Sequence, residues 1–231
     1  MLHDDRSIPS APVDADGVRR RLDLLRERVA ETSGGRPVTI VAVTKGFGPD
    51  AVAAVRAAGL DDVGESYAKE LEAKAAATAD DPPRWHFLGA VQRRKVRDLA
   101  PHVHLWQSLD RDAAAAEIAH HAPGAAVLVQ VNVTGAPGRN GCTWEEAPAL
   151  VEQSRALGLD VRGFMAVAGR TDPRAGFRRL AVLARDLDLE DLSMGMSGDF
   201  GAAIEEGSTM IRVGRALFGA RPVPDPDGRR R

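Results

Sequence analysis

The sequence predicts one α/β domain, a (β/α)8 TIM barrel preceded by an extra helix. Three observations carry that prediction. Strand-like and helix-like segments alternate along the chain, eight such pairs follow the leading helix, and no domain-sized insertion interrupts them. A length of 231 residues suits a single barrel, and an apolar share of 44% is enough for its core. There is no repeat at a fixed period and no low-complexity linker.

Each element has its own signal. Residues 1–13 read as a disordered lead without the basic-then-apolar pattern of a secretory signal. In "DADGVRRRLDLLRERVAET", Leu22, Leu25 and Val29 share one helical face while arginines take the other. "VTIVAVTK" is β-branched and apolar, as a strand buried on both faces should be. "PDAVAAVRAAG" is a helix opened by Pro49 and closed by Gly59. Strand "DDVGES" then leads to helix "YAKELEAKAAATA", "RWHFLG" to "VQRRKVRDLA", and "VHLWQSL" to "RDAAAAEIAHHA". "AAVLVQVNV" is the clearest strand; a Gly/Pro-rich loop separates it from "TWEEAPALVEQSRALG". "DVRGFMAV" precedes "DPRAGFRRLAVLARDLD", "LSMGM" precedes "GDFGAAIEEG", and "TMIRVG" precedes "RALFG". The barrel domain is placed at residues 14–221, with 222–231 as a disordered tail. The rival α/β architecture, a doubly wound open sheet, calls for a Gly-rich turn after its first strand, and here that turn begins with Lys45.

Composition excludes several classes of function. Lys plus Arg number 31 and Asp plus Glu 33, so no net basic field draws in nucleic acid. Of the arginines near the end, Arg221 and Arg229 to Arg231, the Pro/Asp-rich tail carries the last three, and it reads as solvated. Cys142 is the only cysteine, which rules out an internal disulfide and a cysteine-based zinc site. No apolar run reaches the roughly 18–20 residues of a membrane helix. The expectation is a cytoplasmic protein with neither membrane nor nucleic-acid partner.

Chemistry in such barrels sits at the C-terminal ends of the strands. Those positions are Thr44 and Lys45, then Glu65, Ser66 and Tyr67, then His86 and Gly89, Ser108, Asn132, Met165 and Ala166. The seventh strand end spans Ser193 to Ser197, including Met196, and the eighth spans Arg212 to Arg215. Lys45 is the only lysine ending a buried strand there. Desolvation lowers an ammonium's pKa and makes the neutral amine accessible, which suits a Schiff base with a carbonyl compound. The other reading is a lysine snorkelling into solvent, and position alone does not separate the two.

The far end of the chain bears on that choice. Loops after the last two strands commonly form a phosphate site in this fold. Gly195, Gly198 and Gly214 let backbone amides approach an anion, Ser197 adds a hydroxyl, Gly214 and Arg215 open a helical turn, and Arg212 supplies a cation. The other reading pairs Arg212 structurally with Glu205 or Glu206 and takes the glycines as turn residues only. An amine and a phosphate cradle at one barrel mouth are the two handles that pyridoxal phosphate requires.

Other motifs fail. "GMSGD" is no nucleophile elbow because Asp199 replaces the final glycine, and "GRALFGAR" lacks the Lys and Ser/Thr of a P-loop. His102, His104, His120 and His121 lack carboxylates at metal-ligand spacing, so no metal is expected. Trp85, Trp106 and Trp144 read as packing residues.

"VAVTKGFGPDAV", "VGESYAKEL", "WHFLGAVQRRK" and "SMGMSGDFGAAIEEGSTMIRVGRALFGAR" together resemble the YggS/PROSC family of pyridoxal phosphate homeostasis proteins, over residues 38–221. The resemblance implies a barrel like the N-terminal domain of alanine racemase, of fold type III among pyridoxal phosphate proteins. It implies the cofactor on Lys45, with phosphate contacts from Ser197, Arg212 and Gly214. Ser66 stands where the family usually has Asn, Arg94 where it has Asn, and Ala136 and Arg139 at an acidic and a basic position. The cofactor handles survive while the rim has changed.

Racemase chemistry needs acid/base groups on both faces of a substrate carbon, one of them commonly a tyrosine from a second domain. Tyr67 is the single tyrosine, and 17 residues follow the last strand-like segment. An arginine such as Arg212 at the pyridine nitrogen would keep it unprotonated and weaken the electron sink. The expectation is a protein that carries or buffers the cofactor, not an enzyme. Lys45, Ser197, Arg212, Gly214 and Arg215 form its site, and Met196, Ser66, His86, Asn132 and Met165 line it. Expected partners are the cofactor and the apo forms of enzymes that use it, and the expected state is a monomer. The alternatives are a weak racemase or lyase, and a barrel for a phosphorylated metabolite without pyridoxal phosphate.

Overall fold

The computed structural model describes residues 12–169 and 172–220. Eight parallel strands close in sequence order into a barrel, with β8 bonded back to β1. They are β1 (Thr39–Val43), β2 (Asp62–Glu65), β3 (Arg84–Phe87), β4 (Val103–Leu109), β5 (Ala126–Val131), β6 (Asp160–Ala166), β7 (Asp191–Ser193) and β8 (Met210–Val213). α1 (Ala15–Ser33) precedes them. The connecting helices are α2 (Pro49–Ala57), α3 (Ala68–Ala77), α4 (Arg93–Leu99), α5 (Asp112–His121), α6 (Ala147–Ala156), α7 (Pro173–Asp186) and α8 (Phe200–Glu205), and α9 (Arg215–Phe218) follows β8. The predicted class and element order both hold. The proposed tail and most of the proposed lead lie outside the described residues. Val13, at the end of that lead, donates its amide to Asp50 Oδ2 at 2.8 Å and packs partly against the core.

α1 takes a helix position that the four-residue α9 leaves short. Asp14 caps it by accepting from the Gly17 amide at 2.9 Å, and Val18, Leu22, Leu25 and Val29 are buried along one face. Arg21 donates to the Leu217 carbonyl at 2.5 Å, and Arg36 to those of Ser208 and Ile204 at 2.9 and 3.1 Å, which ties α1 and its exit to the last two βα units.

Two segments differ from expectation at their ends. The segment "TWEEAP" does not open α6 directly. Thr143 donates its amide to Glu146 Oε2 at 2.8 Å, and its hydroxyl accepts from the Glu146 amide at 3.2 Å, a reciprocal box that closes a first turn with the Ala147 amide on the Thr143 carbonyl. Pro148, which has no N–H, interrupts the ladder, so the regular helix begins at Ala147. β7 ends at Ser193 because Gly195, at a φ of 94°, turns the chain out of the extended conformation.

The core has two layers. Between barrel and helices lies the larger one, which includes buried Trp85 and Trp106; Phe87 and Trp106 meet edge to face at 5.6 Å. Trp144 packs partly against the same layer, with the Arg179 guanidinium over its ring at 4.1 Å. The smaller layer fills the barrel interior with Val41, Leu105, Leu128, Met165 and Met210. Above and beside it the interior turns polar, and that is where the site begins.

Candidate functional site

Strand alternation aims Val43 into the barrel and delivers Lys45 to the mouth two residues later. Lys45 is half-buried and lines a cavity of about 800 Å³ together with Val43, Ser66, Met165, Met196, Ser197, Arg212, Gly214 and Arg215. The pairing of β1 with β8 explains that company. Val41 is opposite Arg212 and Ala42 opposite Val213, and a Cβ on Gly214 would meet the Val43 carbonyl at 3.2 Å. Gly214 therefore lets the last strand end close under Lys45.

Ser197 Oγ accepts the Ala216 amide at 3.2 Å, which joins the loop after β7 to the start of α9. In the same loop, Asp199 Oδ1 accepts the Met196 amide at 2.6 Å. A Cβ built on Gly198 meets nothing within 4 Å, so backbone beside the cavity stays open to an anion.

Arg212 is buried on the cavity's floor. Its Nη1 donates to the Ser193 carbonyl at 2.6 Å and to Ser193 Oγ at 2.7 Å, and its Nη2 donates to the Ala166 carbonyl at 2.8 Å. The structural alternative of a pair with Glu205 or Glu206 is not what the fold builds: Arg174 takes Glu205, and Arg174 and Arg178 share Glu206. Burial pushes the Arg212 guanidinium down to about 10, and Asp199 opposes this in part, so it remains a cation at neutral pH.

His86 and Asn132, expected to line the cavity, are placed elsewhere. His86 lies deeper, in a chain of buried hydrogen bonds that descends from Arg212. Ser193 Oγ donates to Gln107 Oε1 at 2.6 Å, which turns the Gln107 amide nitrogen toward His86 Nδ1 at 2.7 Å. His86 Nε2 then faces Asp62 Oδ1 at 3.0 Å, and Arg84 binds both oxygens of Asp62, at 2.9 and 2.6 Å. The side chain that reaches the mouth from this strand end is Leu88. Asn132 folds its own loop, donating to the Ala136 carbonyl at 3.0 Å and accepting from Thr134 Oγ1 at 2.8 Å.

Burial alone would raise the Asp62 carboxyl, but hydrogen bonds and charge from Arg84 and His86 hold it well below the ordinary 3.8. A depressed carboxyl stabilises the fold above its unfolded value and loses that contribution as pH falls toward its folded one. In urea titrations at several pH values, Asp62→Asn should cost about 1–2 kcal/mol near neutral pH, and the gap to wild type should narrow progressively as pH falls below about 4. A gap that stays constant with pH would contradict this.

Two buried groups have different fates. Burial pushes the Cys142 thiol up to about 12, which keeps it protonated and unreactive. Lys74, missed in the sequence reading, is fully buried behind the Lys45 turn with Glu65. Its signal was spacing, since Leu71, Lys74 and Ala75 form the buried stripe of α3. No group of three or more His, Cys, Asp or Glu side chains arranged for a metal occurs among the described residues, and no described helix is long and apolar enough to cross a membrane.

An amine, a hydroxyl, two guanidinium groups and glycine-lined backbone converge on one cavity. Fold and site together define a (β/α)8 barrel built to take a phosphorylated carbonyl compound at its C-terminal mouth, and the donor set fits pyridoxal phosphate. The family model for the alanine racemase N-terminal domain matches residues 13–222. The chain is 40% identical over 225 residues to a pyridoxal phosphate homeostasis protein of Pseudomonas aeruginosa, covering 92% of this chain and 97% of that one. PipY of Synechococcus elongatus superposes with a TM-score of 0.80 without pyridoxal phosphate and 0.75 with it bound, at 30% identity over 87% of this chain and 100% of that one. Alanine racemase from Corynebacterium glutamicum shares the fold, with a TM-score of 0.66 at 19% identity over 91% of this chain and 62% of that one. The chain belongs to the pyridoxal phosphate homeostasis proteins, within the alanine racemase N-terminal domain family.

Proposed function

We propose that this protein holds pyridoxal phosphate covalently through Lys45 and buffers or delivers it, contributing to cofactor and amino-acid balance. One observation carries the reading: Lys45 lines the same cavity as Ser197, Gly214, Arg212 and Arg215. When bound, the cofactor supplies an electrophilic aldehyde carbon for a primary amine. The chain's own contribution is to present that amine, to offer the phosphate the Ser197 hydroxyl and the open backbone around Gly198 and Gly214, and to add charge from Arg215 at the rim. Arg212 cannot easily leave its place, because two carbonyls and the Ser193 hydroxyl hold it. Were the ring nitrogen of the bound cofactor to lie against Arg212, that cation would oppose its protonation and weaken the electron sink, which would favour holding the cofactor over amino-acid turnover. Met165 and Met196 wall the cavity and Ser66 faces it from the second strand end. His86 supports the site from behind through Gln107 and Ser193. The relatives' names support the same reading, as does the PipY structure with pyridoxal phosphate bound. Apo enzymes that need the cofactor are the proposed recipients, with the protein acting as a cytoplasmic monomer.

The test is a titration of the purified protein with pyridoxal phosphate, followed by borohydride and peptide mapping. A visible absorption band that borohydride removes, with the reduced cofactor recovered on Lys45, is the expected result. No band with excess cofactor, or a label on another lysine, would refute the assignment.

A further inference from the structure

Lys45 occupies the second position of a turn closed by the Phe47 amide, which donates to the Thr44 carbonyl at 3.0 Å. Gly46 follows at a φ of 79°, a conformation that favours glycine. This turn is gripped from behind by three ionisable side chains of the second βα unit. Lys74 Nζ donates to the same Thr44 carbonyl at 2.9 Å and lies 3.3 Å from Glu70 Oε2. It also pairs directly with Glu65, whose Oε1 accepts the Thr44 hydroxyl at 2.6 Å. Glu70 Oε2 in turn accepts the Gly46 amide at 2.8 Å. Lys74 and Glu65 are both fully buried, and Glu70 is mostly so.

A buried ion pair is seldom kept for stability, because desolvation offsets much of the attraction and an apolar pair of equal volume often serves as well. Burial pushes the Glu65 carboxyl up, and Lys74 and Thr44 draw it back only in part. What Lys74 and Glu70 do that apolar side chains would not is bind the backbone on either side of Lys45, Lys74 at the Thr44 carbonyl and Glu70 at the Gly46 amide, while Glu65 holds Lys74 and the Thr44 hydroxyl in place. A residue has two soft dihedrals, so holding its flanking peptide units fixes the direction of its Cα–Cβ bond. We infer that Lys74, Glu65 and Glu70 form a positioning unit that fixes the turn bearing Lys45 and so aims its amine at the cofactor's aldehyde carbon. None of the three lines the cavity. They act through Lys45, and the inference rests on the reading of Lys45 as the cofactor-holding amine.

Two variants test it: the neutral, similarly sized pair Glu65→Gln with Lys74→Met, and Glu70→Ala, which leaves the buried pair in place. Three quantities are read in each, namely thermal midpoint, amide hydrogen exchange of peptide 43–47 in cofactor-free protein, and affinity for pyridoxal phosphate. Expected are a midpoint within a few degrees of wild type, exchange faster by about tenfold or more, and affinity weaker by about tenfold. Unchanged exchange overturns the inference, as does faster exchange with unchanged affinity. Should the double variant fail to fold, Glu70→Ala decides by the same readings. If wild-type protein shows no binding of pyridoxal phosphate, the cofactor reading fails, while the exchange rates alone still show whether the three side chains hold the turn.

Discussion

Lys45→Ala is expected to abolish the visible band and the borohydride-trapped product, and to weaken retention of pyridoxal phosphate by about a hundredfold or more. The substitution removes the covalent attachment and leaves the anion-binding end of the cavity intact. Ser197, Gly214 and Arg215 belong to the last two βα units and depend on the loop after β7, not on the lysine side chain. Weak, non-covalent binding of phosphate esters should therefore remain in the variant. Stability should stay within about 1 kcal/mol of wild type, since Lys45 is half-buried and the Thr44 to Phe47 turn closes through its backbone. Spectral titration and calorimetry of the two proteins side by side check both parts. Equal affinity in wild type and variant would mean that the barrel binds a phosphorylated metabolite by its phosphate alone.

Gly163→Ala is expected to be the most damaging small substitution in the barrel wall. Gly163 on β6 is opposite Asp191 on β7, and an added Cβ would sit 1.8 Å from the Asp191 carbonyl oxygen and 2.6 Å from its carbon. Those are backbone atoms of the strand next door, so no side-chain rotation relieves the clash. The two strands must separate where the barrel is most weakly closed, since β7 has three residues and pairs with β8 at Ser193 and Met210. A loss of about 3 kcal/mol or more is expected, roughly 6–12 °C in midpoint for a domain of this size. Gly201→Ala in α8 is the control, because its Cβ meets nothing within 4 Å; it should be neutral or stabilise by up to about 1 kcal/mol. Comparable midpoints for the two variants would show that β6 and β7 have more freedom than their register implies. The site should suffer with the fold, as β7 carries Ser193 and hence the support of Arg212.

The architecture was legible in the order of the residues because strand and helix periods are local. Val38 to Thr44 reads as a buried strand and Leu22, Leu25 and Val29 as a helical stripe without reference to anything distant, and eight such alternations leave few ways to close a sheet. Lys45, Ser197, Arg212, Gly214 and Arg215 were equally legible, since the fold puts every strand's C-terminal end at one mouth. Side-chain depth was not. His86 lies inside β3, one residue before its end, whereas Lys45 stands two residues past β1, so His86 points below the mouth, where Gln107 on β4 and Asp62 on β2 meet it. Asn132 is spent on its own loop, a choice made by Thr134 and Ala136 at close range. Lys74 looked like any lysine on an alanine-rich helix, and only the meeting of α3 with the ends of β1 and β2 set it against Glu65 and the Thr44 carbonyl. Local periodicity and segment order alone specify the barrel, its mouth and the amine at the end of the first strand. The tertiary structure decided which polar groups face the cavity and which hold it from behind, because a buried charge takes its partner from whatever side chains and carbonyls converge on it across the fold.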